Sequence, residues 1–103
     1  MKGILVILLL LVAGCSEVQE APEEKVVIAI TDFGFSPSQL NVPSGTEVIW
    51  VNRDVLAHNL VFEGFESGEL LTDGYFSKTF EEPGSYDYYC SYHPELRGKI
   101  IIK

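Results

Sequence analysis

The sequence predicts an all-β sandwich or barrel of six or seven short strands. Three observations carry that prediction. From Lys25 onward the chain is a series of short runs rich in β-branched and aromatic residues. Turn-forming residues such as Pro43-Ser44-Gly45 and Glu82-Pro83-Gly84 punctuate those runs. No stretch of useful length places apolar residues at the i, i+3, i+4, i+7 spacing of an amphipathic helix. A chain of 103 residues holds one domain with a single modest core.

The first fourteen residues fall outside that domain. Met1-Lys2-Gly3 is a weakly basic start, and Ile4 to Ala13 is an unbroken apolar run of ten. Such a run fits the apolar stretch of a signal peptide and is well short of the roughly 20 residues of a spanning helix. It ends in Leu11-Val12-Ala13-Gly14-Cys15, which resembles a bacterial lipoprotein cleavage box. Residues 1–14 are therefore expected to be a lipoprotein-type signal peptide, with Cys15 as the lipidated new N-terminus. The competing reading is an ordinary signal peptide or uncleaved anchor in which Cys15 is incidental. Residues 15–24 form an acidic linker containing Pro22, and residues 25–103 form the folded domain.

The expected strands follow in order. KVVIAIT (25–31) is a β-branched run, and QLNV (39–42) precedes the first turn. TEVIWV (46–51) is nearly continuously apolar, as in a strand covered on both faces. HNLVF (58–62) places His58, Leu60 and Phe62 on one face. Glu63 to Gly74, acidic and rich in glycine, reads as a connecting loop. YFSKTF (75–80) carries Lys78 among aromatics and so belongs at a sheet edge, where the amine reaches water. SYDYYC (85–90) and KIIIK (99–103) complete the set.

Charge and cysteine use restrict the function. Without residues 1–14, six basic side chains stand against fifteen acidic ones. That balance argues against nucleic-acid binding and fits a soluble acidic surface or a partner with a basic face. With Cys15 taken by lipid, Cys90 is left as a lone thiol in an exported domain, a liability unless a metal or a reaction occupies it. Asp32-Phe33-Gly34 matches a kinase tripeptide, but no other kinase element is present. Catalysis by a Cys90–His93 pair lacks an orienting third residue, and the chain is not expected to be an enzyme.

Cys90 and His93 have the spacing of a metal loop, and His58 is the only other histidine. A lone histidine on an inward strand face is ordinarily a packed core residue. Here it can meet the other two at one end of a sandwich. Two imidazoles and one thiolate are the donor set that selects copper in electron-transfer sites. Zinc accepts the same donors but closes structural sites with four.

The two stretches that carry these residues, VIWVNRDVLAHNLVF and GSYDYYCSYHPELRGKIII, resemble the small blue copper proteins, the cupredoxins. Within them they look most like the amicyanins and plastocyanin-like relatives. The shared patterns are W-x-N-x-D-x-x-x-H-N and Y-x-Y-x-C-x-x-H-P-x-x-x-G-x-I, and the resemblance spans residues 25–103. It implies a Greek-key β-sandwich holding one copper ion on His58, Cys90 and His93. Asn59 would tie the first ligand strand to the cysteine loop. The implied task is single-electron transfer outside the cytoplasm between redox proteins, such as a c-type cytochrome or a dehydrogenase. The chain is expected to act as a monomer whose only membrane contact is the lipid on Cys15. Copper storage, delivery or sensing is the alternative. Ala57 replaces a proline common before the first histidine. Leu96 stands where the family usually has an axial methionine, so a three-coordinate site is expected, with Glu95 or a backbone carbonyl the open candidate for a fourth donor. Ala57, Pro94 and Leu96 are expected to form an apolar docking patch around His93.

Overall fold

The computed structural model describes residues 24–103. The expected signal segment, Cys15 and the expected linker up to residue 23 lie outside the described residues. The rest is all β, folded as a two-sheet sandwich: β1 (Lys25–Thr31), β2 (Gly34–Ser36), β3 (Gln39–Val42), β4 (Thr46–Asn52), β5 (His58–Phe62), β6 (Phe65–Leu70), β7 (Tyr75–Phe80), β8 (Gly84–Cys90) and β9 (His93–Ile102). One sheet has the order β2-β1-β4-β7 and the other β3-β9-β8-β5-β6. Two pairings, β1 with β4 and β3 with β9, are parallel, and the remaining neighbours are antiparallel.

Alternation along each strand builds the core. Ile28 and Ile30 of β1, Val48 and Trp50 of β4, Leu60 and Phe62 of β5, and Ile100 and Ile102 of β9 all point between the sheets. Trp50 lies at the centre, fully buried, with Phe62 and Tyr88 edge-on to it at ring-centroid distances of 5.3 and 5.5 Å. Such aromatic pairs add roughly 0.5–1.5 kcal/mol each beyond the area they bury.

The structure departs from the sequence reading in four places. Glu63 to Gly74 is not a loop, because Phe65–Leu70 forms β6 against β5. Half of its residues are exposed and only Leu70 is buried, so alternation is faint; what holds it is the ladder to β5 and the stacking of Phe65 on Phe62 at 4.5 Å. The short β2 was also unexpected, and nine strands replace seven. The last strand starts at His93, six residues before Lys99, because pairing with β8 extends through the cysteine loop. Finally, β4 is covered on one face only: Glu47, Ile49 and Val51 are half-buried on the outer side. The edge position of Lys78 holds, since β7 ends its sheet, and the ammonium lies 4.9 Å above the Phe65 ring.

Candidate metal centre

Sheet order brings together residues that are far apart in the chain. In the five-stranded sheet β5 pairs with β8, and β8 with β9, so the start of β5, the end of β8 and the start of β9 meet at one end of the sandwich. His58 opens β5, Cys90 closes β8 and His93 opens β9. A register shift between Tyr89 and Cys90 sets Cys90 opposite His93. His58 and Cys90 are buried, whereas His93 is half-exposed.

The donor atoms converge. His58 Nδ1 lies 3.2 Å from Cys90 Sγ, and His93 Nδ1 lies 3.8 Å from the same sulfur. All three lie within 4.8 Å of one another, and no other cluster of three or more His, Cys, Asp or Glu donors occurs among the described residues. Cys90 has no sulfur partner among them. Two nitrogens and one sulfur at this spacing suit a single thiophilic ion of the copper type.

Leu96 is half-buried and packs onto the core, while Glu95 is exposed and contributes no oxygen to the cluster. Both line the shallow depression beside the histidines, together with Asp32, Asp54 and Leu56. Asn59 Nδ2 donates to Ser91 Oγ at 3.0 Å, and the Ser91 N–H donates to the Asn59 carbonyl at 2.9 Å. The start of β5 is thereby stitched to the turn after Cys90. Of the expected docking residues, Pro94 is exposed but Ala57 and Leu96 are half-buried. The large exposed apolar side chains near this end instead include Phe33, Val55, Leu56 and Tyr92.

Asp54 and Asn52 were missed as site residues, although both stand in the first sequence pattern. Asp54 is buried, with Oδ2 2.9 Å from His58 Nε2. The hydrogen bond from His58 holds its carboxyl below the usual aspartate value, with desolvation opposing that shift. Asn52, fully buried, accepts the Asp54 N–H and donates to the Leu56 and Leu70 carbonyls, each at 2.9 Å. The available signal was local: a carboxylate four residues before a candidate ligand histidine.

Known proteins are similar to this chain in sequence and fold. The chain is 36% identical over 91 residues to an amicyanin of Paracoccus versutus, covering 82% of this chain and 69% of the relative. A purple cupredoxin from Nitrosopumilus maritimus superimposes with a TM-score of 0.72 at 33% identity, covering 76% of this chain and 99% of that one. A methionine-to-leucine variant of amicyanin, solved oxidised, superimposes with a TM-score of 0.73 at 32% identity, covering 76% and 81%. Another amicyanin variant is solved in its reduced Cu(I) form, so copper is the cofactor carried by these relatives. The family description "Cupredoxin-like domain" matches residues 4–102, nearly the whole chain, and the protein therefore belongs to the cupredoxins.

Proposed function

We propose that this protein is a mononuclear blue copper electron carrier that works outside the cytoplasm. The observation that carries the reading is the meeting of His58 Nδ1, Cys90 Sγ and His93 Nδ1 at one end of a packed sandwich. When bound, copper supplies a one-electron change between Cu(II) and Cu(I). The protein's own residues do the rest. Cys90 gives up its proton to serve as thiolate. His58, held inside the fold, keeps the donor set from spreading when the charge changes, while half-exposed His93 offers the route for the electron to the surface.

Leu96 has no donor atom and its neighbour Glu95 is exposed, so His58, Cys90 and His93 are the side chains that would hold the ion, a three-coordinate set in this reading. An apolar wall in place of a sulfur withholds a donor that copper(II) needs more than copper(I), which favours the reduced form. The exposed Phe33, Val55 and Leu56 supply an apolar docking face. The acidic surface steers toward a basic redox protein, such as a c-type cytochrome. Export by residues 1–14 and a diacylglycerol anchor on Cys15 belong to the same proposal. A flexible tether of nine residues has an r.m.s. reach of about 17 Å, enough to keep an anchored domain just off a membrane.

The test is to add copper(II) to the protein and record its visible spectrum and reduction potential. One equivalent should give intense red-region absorption from sulfur-to-copper charge transfer, and Cys90→Ser should abolish it in a folded protein. Colour that survives Cys90→Ser refutes the ligand assignment. Readily exchanged copper without fast electron transfer would favour storage or delivery.

A further inference from the structure

We propose that Asp54 is a positioning residue: it fixes which nitrogen of His58 faces the donor cluster, and its charge biases a bound copper toward the oxidised state. The second half rests on the copper reading above; the first does not.

A neutral imidazole has one N–H and one lone pair, and whatever bonds to one nitrogen decides the role of the other. An ionised carboxylate can only accept hydrogen bonds. Asp54 Oδ2, 2.9 Å from His58 Nε2, therefore holds the proton on Nε2. The lone pair is left on Nδ1, the atom that lies 3.2 Å from Cys90 Sγ. Without the carboxylate the two neutral tautomers would compete, and one of them cannot ligate through Nδ1.

The carboxylate is itself held in place. Its Oδ1 accepts the Val55 N–H at 2.7 Å, its backbone N–H donates to Asn52 Oδ1 at 2.9 Å, and its carbonyl accepts the Thr72 hydroxyl at 2.8 Å. Asn52 links the same loop to Leu70 at the end of β6. Helping to turn the loop would need only the Val55 bond. Burying the second oxygen costs desolvation, and His58 is the partner that compensates, because neighbouring Arg53 is turned to Asp73 at 2.8 Å.

A carboxylate behind a ligand imidazole makes the ring a stronger donor, and residues in that position typically account for 10–100-fold in metal affinity. The higher charge of copper(II) gains more from this than copper(I) does. Asp54 thus acts against Leu96: one lowers the potential and the other raises it.

The test uses the full chain with labelled histidine. In the metal-free protein at pH 8, long-range proton–nitrogen NMR should show His58 protonated at Nε2 and bare at Nδ1. Asp54→Asn keeps an accepting oxygen but loses the charge. It should retain that signature, while copper(II) affinity falls more than copper(I) affinity and the potential rises by about 59 mV for each tenfold difference. Asp54→Ala should lose the signature as well, with a loss of copper(II) affinity on the order of 10–100-fold. A wild-type His58 protonated at Nδ1 overturns the proposal. So does a potential that is unchanged in Asp54→Asn, the variant that decides the charge half should Asp54→Ala fail to fold. A chain that shows the Nε2–H signature but takes up no copper would uphold the positioning role and refute the copper reading instead.

Discussion

Gly98→Ala should destabilise the domain by about 2 kcal/mol and disturb the metal end with it. Gly98 on β9 is paired with Tyr88 on β8. A Cβ built there would lie 2.2 Å from Tyr88 Cζ, 2.3 Å from Oη and 2.7 Å from Cε1, whereas ordinary contact begins near 3.4 Å. The ring would have to move by more than 1 Å. It has nowhere to go: Tyr88 is 1% exposed, with the Phe35, Phe62 and Trp50 rings at 4.7, 4.9 and 5.5 Å. Overpacking of this kind costs roughly 1–3 kcal/mol, and the upper end applies because the obstacle is a caged ring. Replacing glycine by alanine recovers about 0.5–1 kcal/mol of chain entropy, which leaves a net loss of about 2. In a domain of this size that lowers the melting temperature by about 8–16 °C. Cys90 follows two residues after Tyr88 on the same inward face, so a shift of β8 that relieves the clash also moves Sγ and should weaken copper binding. The assay is thermal and guanidinium unfolding of the metal-free protein, followed by copper titration. Tyr88→Leu removes all three obstructing atoms, so Gly98→Ala should cost much less in that background, a coupling above about 1 kcal/mol. A Gly98→Ala protein that melts within about 2 °C of wild type would refute the packing argument.

Two further outcomes follow from the site and its surroundings. Leu96→Met restores a sulfur donor at similar volume, at a packing cost under about 1.5 kcal/mol, and should lower the reduction potential while the blue colour remains; an unchanged or higher potential refutes the three-coordinate reading. Burial pushes the Tyr88 hydroxyl up to about 12, so the folded protein favours the neutral phenol. That contribution is complete below the unfolded value of about 10 and is lost as pH rises toward 12, at about 1.4 kcal/mol per unit. Urea unfolding at several alkaline pH values should show the decline, and Tyr88→Phe should flatten it. Equal slopes in the two proteins would rule Tyr88 out as the cause.

Much of the architecture is written in local patterns. KVVIAIT, TEVIWV and HNLVF carry enough β-branched and aromatic residues to fix strand and approximate ends, HNLVF also its inward face, and all three form strands at those positions. The three-residue step from Cys90 to His93 likewise identifies half of a metal loop without any fold. These features depend on neighbours a few residues apart, which is why they are legible in the sequence. The strand FESGEL is not, because its own residues are polar and glycine-containing; it exists because β5 offers a ladder and Phe62 offers a ring to stack on. The meeting of His58 with Cys90, 32 residues apart, required the sheet order that sets β5 beside β8. Asp54 is the sharpest case. In the sequence it is one acidic residue among fifteen, and an aspartate in a loop ordinarily faces water. Only the folded chain, with Asn52 and Thr72 gripping its backbone, turns that carboxylate inward onto His58. The four-residue step to His58 marks it as a candidate, but its inward turn also depends on hydrogen bonds that span 18 residues of chain, which the local pattern does not encode.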